Sequence, residues 1–162
     1  MDKPASYNKS VEVYVESSVL RGTLVTRHAR LSDFLERPDE IFFLQDASIE
    51  QPQEKASLPT SARIIIYKKQ VIFIAELSSG ETAETADAGI LRVDLEPWRV
   101  LIGAGSFWLQ GDLHFMPGVT LESFAEAKGH FITMTNATLL GRAEAKPRTF
   151  TINREKVHSL IG

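Results

Sequence analysis

The sequence predicts an all-β fold with short helices, organised as two five-stranded units in tandem. Three observations support this prediction. Apolar and polar residues alternate with period two in "VEVYVE" at 11–16, a pattern typical of a half-buried strand. The pattern S-x-x-L-x-G-x-L occurs twice, at 17–24 and at 106–113. Strand-like and helix-like segments then follow in the same order on both sides of an acidic stretch near the middle of the chain.

The first unit is predicted to span residues 1–77. After "VEVYVE", the run "VLRGTLVTRH" predicts a second strand, in which the interior Gly22 suits a bend or bulge. "LSDFLER" predicts one or two helical turns with Ser32 as a candidate N-cap. "EIFFLQDASIE" predicts a third strand, and the loop "QPQEKASLP" follows, because its prolines exclude regular pairing. "ARIIIYKKQVIFIAEL" predicts two final strands around a tight hairpin turn at Lys68 and Lys69.

The second unit is predicted to span residues 98–162 and to have the same plan. Its segments are "RVLIGAG", "FWLQGDLHF", the short helix "LESFAEA", "HFITMTNATL", "RTFTINRE" and "KVHSLIG". The connector, residues 78–97, has five acidic residues and one basic residue, as expected of a solvated linker, and "ILRVDL" within it is a candidate extra strand. The two units therefore read as an internal duplication related by pseudo-symmetry.

A five-stranded unit of about 65 residues leaves much of its apolar surface exposed when it stands alone. The run "IIIYKKQVIFIA" is almost uniformly apolar, so part of it should be covered on both faces or along its edge. Either the other unit or a second molecule supplies that cover. We therefore expect the units to pack together as a pseudo-dimer and molecules to self-associate through strand edges.

Composition narrows the classes of function. The chain has 162 residues and a net charge of −3, which is not the charge of a general nucleic-acid binder, and no DNA partner is expected. It has no cysteine, which excludes disulfides, thiolate metal sites and cysteine nucleophiles. The polar start "MDKPASYNKS" lacks the apolar region of a signal peptide, and the apolar runs are short. These features predict a cytoplasmic protein with no membrane partner.

The order of elements resembles the Sm-like small β-barrel. "LQG" in the second strand of the second unit, and "YKKQV" at the last turn of the first, are similar to segments of the bacterial Hfq branch. Bacterial domains with no assigned role carry similar barrels. The resemblance implies two Sm-like barrels, strand-edge association and RNA contacts. Two departures weaken the RNA implication: a helix-bearing insert replaces the tight turn between the second and third strands, and Lys69 stands where Hfq has histidine.

Two basic clusters are the candidate ligand or RNA sites. One cluster comes directly after the second predicted strand of the first unit. The other group comprises the basic and aromatic residues at the last turn of the first unit and the arginine at the last turn of the second unit. The candidate residues are Arg27, His28, Arg30, Tyr67, Lys68, Lys69 and Arg154. Each cluster also has a plainer interpretation, as a solvated loop balanced by nearby acids or as lysines that keep an apolar edge soluble.

No catalytic set is predicted. Neither a Ser-His-Asp combination nor a carboxylate pair nor a phosphate loop stands out, and the four histidines lack metal-ligand spacing. We therefore expect no catalytic activity, no bound metal and no cofactor. The chain is interpreted as a non-catalytic assembly or binding module. One alternative is an RNA-binding protein that uses the basic residues. Another is a small-ligand or signalling barrel with a pocket between the units.

Overall fold

The structure is a computed structural model that describes residues 5–50, 63–77, 95–141 and 146–162. In the described residues before the connector, the chain forms the strands β1 (Tyr7–Tyr14), β2 (Val19–Thr26), β3 (Ile41–Glu50), β4 (Ile64–Tyr67) and β5 (Phe73–Glu76). In those after it, the chain forms β6 (Glu96–Ala104), β7 (Phe107–Phe115), β8 (Phe131–Leu139), β9 (Arg148–Asn153) and β10 (Val157–Ile161). We call β1–β5 the first half and β6–β10 the second half. The fold is all-β with short helices, as the sequence predicts.

The predicted strands and the observed strands agree in position, with differences at their ends. β6 begins at Glu96, inside the predicted connector, so the start of regular structure lies two residues before the predicted unit boundary at 98. The proline-containing loop at 51–59 lies outside the described residues, as does nearly all of the candidate strand "ILRVDL".

The strands form one open antiparallel sheet in the order β10-β6-β7-β8-β9-β5-β1-β2-β3-β4. Each half contributes five neighbouring strands, and its own fifth and first strands lie side by side. The halves meet where β5 pairs with β9, with Phe73 opposite Ile152, Ile74 opposite Thr151 and Ala75 opposite Phe150. The two end strands of the sheet are β4 and β10.

The last two strands of the first half do not form the predicted hairpin. β4 pairs with β3, whereas β5 pairs with β1 and β9. A 3-10 turn over Lys68–Gln70 redirects the chain between them, so that β4 and β5 lie on opposite sides of the first half. The hairpin prediction was wrong because closeness in sequence does not determine which strands pair. The second half has the same turn over Arg154–Lys156 between β9 and β10.

A bulge interrupts the pairing of the second and third strands in each half. The register shifts between Arg21 and Thr23 in the first half and between Gln110 and Asp112 in the second. The intervening residue is glycine both times, as the sequence predicts. A Cβ added at Gly22 would lie 2.9 Å from a backbone oxygen of β3. A Cβ added at Gly111 would lie 2.9 Å from a backbone oxygen of β8. The backbones therefore approach too closely for a side chain.

The residues that face these glycines also share an unusual backbone conformation. Asp46 has φ of 49° and Asn136 has φ of 48°, in the left-handed region that aspartate and asparagine tolerate best among side-chain-bearing residues. The extra residue of each bulge is thus accommodated at an Asx position.

A short helix follows the second strand in each half. α1 (Leu31–Leu35) has Arg30 at its N-cap, without a side-chain cap, and Ser32 lies inside the helix, so the predicted Ser32 cap was wrong. α2 (Leu121–Ala125) is capped by Thr120, whose hydroxyl accepts the Ser123 N–H while the Ser123 hydroxyl accepts the Thr120 N–H. Both helices lie at the connection between the second and third strands of their half.

The buried apolar residues form two cores that share the strand at the junction. Ile74 belongs to the first-half core, whereas Phe73 and Ala75 on the other face belong to the second-half core. Tyr14 stacks on Phe73 with ring centroids 4.1 Å apart, and the Phe107 ring contacts both at 5.5 Å. β5 is thus covered on both faces, which accounts for the apolar run "VIFIA" at 71–75. The earlier part of the predicted run, "IIIY" in β4, is exposed on one face.

Candidate functional site

The cluster Arg27, His28 and Arg30 forms the connection between β2 and α1. The His28 N–H donates to Thr26 Oγ1 at 3.0 Å, and the imidazole lies 6.5 Å from the Phe34 ring of α1. Arg27 and Arg30 are exposed. The side chains therefore surround a short turn on the surface, with His28 directed towards the helix.

The Lys68 side chain binds the C-terminal end of α1. Its ammonium group donates to the backbone oxygens of Leu35 and Arg37, at 3.2 and 2.9 Å, and lies 5.9 Å from the Phe34 ring. These carbonyls belong to the C-terminal end of the helix, where a cation is favourable. Partial burial lowers the pKa of Lys68 below its ordinary value. The His28 and Lys68 side chains thus each lie near the Phe34 ring.

Arg154 has the corresponding place in the second half. Its guanidinium donates from Nη1 to the Phe124 oxygen at 3.0 Å and lies 5.1 Å from the Phe124 ring of α2. Lys68 and Arg154 therefore have the same structural role. Each lies in the turn after a strand and donates hydrogen bonds to backbone oxygens at the end of a short helix. Arg154 belongs to a cluster separate from the one at Phe34.

Tyr67 and Lys69, the remaining candidates, are both exposed beside Lys68. Tyr67 ends β4 and belongs to a surface that the sequence did not single out. On the outer face of β3 and β4, two cross-strand pairs of apolar residues point away from the first-half core. We call them the outer quartet. Its members, with their exposed fractions, are Ile41 (36%), Phe43 (37%), Ile65 (52%) and Tyr67 (57%).

The outer quartet lies beside an end strand of the sheet. In the described residues β4 pairs only with β3, so the hydrogen-bonding groups along its other side face outwards. β10, at the opposite end, likewise pairs only with β6 among the described strands, and its Ile161 is 55% exposed. Unpaired strand edges next to exposed apolar side chains are templates for another strand.

Two polar contacts between the halves also escaped the sequence analysis. Glu36, just after α1, accepts the backbone N–H groups of His130 and Phe131 at 2.9 and 3.0 Å. The buried Glu12 accepts from Tyr14 Oη at 2.8 Å and from Arg148 Nη1 at 3.0 Å. The partners in the second half lie 94, 95 and 136 residues away in sequence, so no local pattern could have indicated them.

A third polar cluster lies on the surface of the second half. Asp112 accepts from the side-chain amide of Asn136 at 3.0 Å and from Arg99 Nη1 at 3.2 Å. The hydrogen bond from Asn136, followed by that from Arg99, lowers the pKa of Asp112 below its ordinary value. These bonds brace the second bulge, because Asn136 is its left-handed residue.

Among the described residues, no group of three or more His, Asp or Glu side chains is placed to hold a metal ion. Nor does any helix in the described ranges have the length and apolar character needed to cross a membrane. Comparison of the chain with protein-family models, curated proteins and solved structures finds no match.

Proposed function

We propose that this protein is a non-catalytic assembly module, built from a duplicated Sm-like five-stranded unit, whose molecules self-associate through the end strands of the sheet. Support for duplication comes from features that recur at corresponding positions. These are the strand order, the Gly22 and Gly111 bulges, the left-handed Asp46 and Asn136, and the cation after the fourth strand. An independent origin of both halves would not require such matches.

The observation that carries the assembly role is the outer quartet beside the edge of β4 that no described strand pairs with. Four large apolar side chains are kept at least one-third exposed on adjacent strands. Each contributes to stability only when something covers it, at about 25 cal/mol per Å² of apolar surface removed from water. A second molecule of the same protein supplies a matching strand edge, the side of β10 that no described strand pairs with, and an exposed apolar residue on that strand.

The two alternative functions receive less support. Lys68 and Arg154, which an RNA-binding role would use, donate to helix carbonyls instead of projecting freely. A ligand pocket between the halves would need space, yet Tyr14, Phe73 and Phe107 fill the junction with packed rings. Co-purifying nucleic acid or a defined small ligand would favour these alternatives.

Light scattering over a concentration series tests the assembly role. The expected result is a mass that is a multiple of the 18.1 kDa chain. Ile65→Lys should lower that mass, because it places a charge on the edge of β4. Leu140→Lys is the matched control. Leu140 is 47% exposed, but it lies in the turn after β8, which is an inner strand of the sheet, so this substitution should leave the mass unchanged. A monomeric wild-type protein at every concentration would reject the proposal.

A further inference from the structure

We infer that the outer face of β7 binds a neutral oligosaccharide, with Trp108 as a stacking platform and the cluster around Asp112 as the hydrogen-bonding site. This surface belongs to the second half, whereas the outer quartet lies on β3 and β4 of the first. The inference therefore goes beyond self-association and does not depend on it.

Alternate residues of β7 point away from the second-half core. Leu109, Leu113 and Phe115 belong to that core, so the residues between them lie on the outer face. Trp108 and Asp112 are four residues apart in this row, which is about 13 Å along a strand. The row thus has an aromatic end and a polar end. Its members are Trp108, Gln110, Asp112 and His114.

The aromatic end is formed by Trp108, which is 39% exposed. Gly103 on the neighbouring β6 leaves room for two rings, since a Cβ there would lie 3.0 Å from the Trp108 ring and 2.5 Å from the His158 ring. The two rings meet edge to face, with centroids 5.5 Å apart. The indole is therefore held by its neighbours while part of its surface faces solvent.

The polar end is a network of side chains that hold one another in place. Asp112 accepts from Asn136 and Arg99, and Arg99 Nη1 also donates to the Asn136 backbone oxygen at 3.3 Å. Beside them, His114 Nε2 lies 2.6 Å from Thr135 Oγ1. A carboxylate and a guanidinium have more acceptor sites and donors than these bonds use. The network can therefore bind a ligand without rearranging.

The charge of this network indicates the class of ligand. Arg99 and Asp112 form an ion pair at 3.2 Å, and such a pair has no net charge with which to hold a phosphate chain. It presents donors and acceptors together, which suits hydroxyl groups, because a hydroxyl both donates and accepts. A sugar ring also has faces of C–H groups, which pack on the electron-rich face of an indole. An oligosaccharide combines both features along one chain.

The first half shows that the fold does not require these residues. Counting from the two bulge glycines, the residues at the places of the Arg99–Asp112 ion pair and of Trp108 are Ser10, Thr23 and Val19. Serine and threonine cannot form an ion pair, yet the first half has the same bulge. Val19 is buried, whereas Trp108 is exposed. Folding alone therefore does not account for the residues of the β7 face.

Tryptophan fluorescence tests the inference, because the chain contains two tryptophans. Trp98 is 40% exposed, as Trp108 is, but it lies on the core side of β6 against Phe115. Trp98→Phe leaves Trp108 as the reporter, and Trp108→Phe leaves Trp98. At millimolar concentration, at least one of four probes should change the emission of the first variant and not that of the second. The probes are maltohexaose, cellohexaose, xylohexaose and chitohexaose.

Calorimetric titration with the responding probe then measures the contribution of each end of the row. Trp108→Ala should weaken binding at least about tenfold, because it removes the stacking surface. Trp98→Ala is the matched control of equal exposure and should leave the affinity unchanged. Asp112→Asn keeps the shape of the side chain but removes its charge, and should also weaken binding about tenfold. Circular dichroism checks that each variant is folded.

Four outcomes would overturn the inference. The first is no Trp108 response to any of the probes, and the second is an equal loss of affinity in folded Trp98→Ala. The third is a Trp108 response to polyuridylate but to none of the oligosaccharides, which would make nucleic acid the ligand. The fourth is a Trp108→Ala variant with a changed mass in light scattering and unchanged sugar affinity, which would place Trp108 in a contact between molecules. The proposed self-association is tested separately, by the mass of the wild-type protein and of Ile65→Lys.

Discussion

β5 and β10 have corresponding places in the sheet but different surroundings. Each pairs with the first strand of its own half, yet among the described strands only β5 has a second neighbour, β9. Ile72 and Phe73 are buried, whereas their counterparts His158 and Ser159 are exposed or half-exposed. The strand that is paired on both sides is therefore the more apolar of the two. The junction inside the chain resembles a permanent core, while a contact at β10 would be more polar.

This difference separates two kinds of interface. A junction with aromatic stacking on one face and the first-half core on the other should not open while the protein remains folded. An interface at β10 that includes histidine and serine should be weaker, so we expect molecules to separate under conditions in which the two halves stay together. The proposed assembly would then be reversible.

The largest expected effect is at the junction. Phe73→Ala removes a fully buried ring that stacks on Tyr14 and contacts Phe107 and Phe150, so the free energy of unfolding should fall by about 3–5 kcal/mol. Ser159→Ala, at the corresponding place in β10, should change it by no more than about 0.5 kcal/mol. Urea unfolding followed by fluorescence measures both. Similar losses would show that cover does not distinguish the two strands.

The sequence predicts the positions of most strands well because each depends on a local pattern. The alternation in "VEVYVE", the interior Gly22 and the short "LSDFLER" segment all correspond to observed features. Pairing is a different matter. β4 and β5 are separated by five residues but lie on opposite sides of the first half, because β4 pairs with β3 whereas β5 pairs with β1 and β9. No local pattern contains that information.

The candidate site was predictable only in part. The basic residues were visible as a cluster, but their engagement by the helix carbonyls depends on the position of α1 against the turn after β4. The outer quartet was hidden in apolar runs that read equally well as core. Ile65 and Ile66 are adjacent and chemically identical, yet one is exposed and the other buried, since strand neighbours point to opposite faces.

An intermediate effect should be shared by the two halves. Gly22→Ala and Gly111→Ala each push a Cβ against a backbone oxygen at 2.9 Å and should each lower the free energy of unfolding by about 1–3 kcal/mol. Gly118→Ala serves as a control for backbone strain alone, since its φ is 88° but the added Cβ meets nothing within 4 Å. If one bulge tolerated alanine and the other did not, the halves would not share this feature.

The smallest expected effect distinguishes the two bulges by their response to acid. In the second half, Asn136 donates to Asp112, whereas the residue corresponding to Asp112 in the first half is Thr23. The folded-state pKa of Asp112 is lowered from 3.8, so the unfolded chain binds this proton more readily. The resulting stabilisation is fully present above pH 3.8 and is lost as the pH falls through the lowered folded-state value.

Asp112→Asn should therefore flatten the acid side of the plot of unfolding free energy against pH, and Asn136→Gly should flatten it too. Glycine suits the positive φ of Asn136, so this variant removes the amide donor without adding backbone strain. Asp46→Gly makes the same backbone change in the first half, so its free energy of unfolding at neutral pH measures the effect of the glycine backbone by itself. An unchanged acid slope in Asp112→Asn would mean that solvent screens the Asn136 and Arg99 bonds, and that the second bulge is held by its backbone alone.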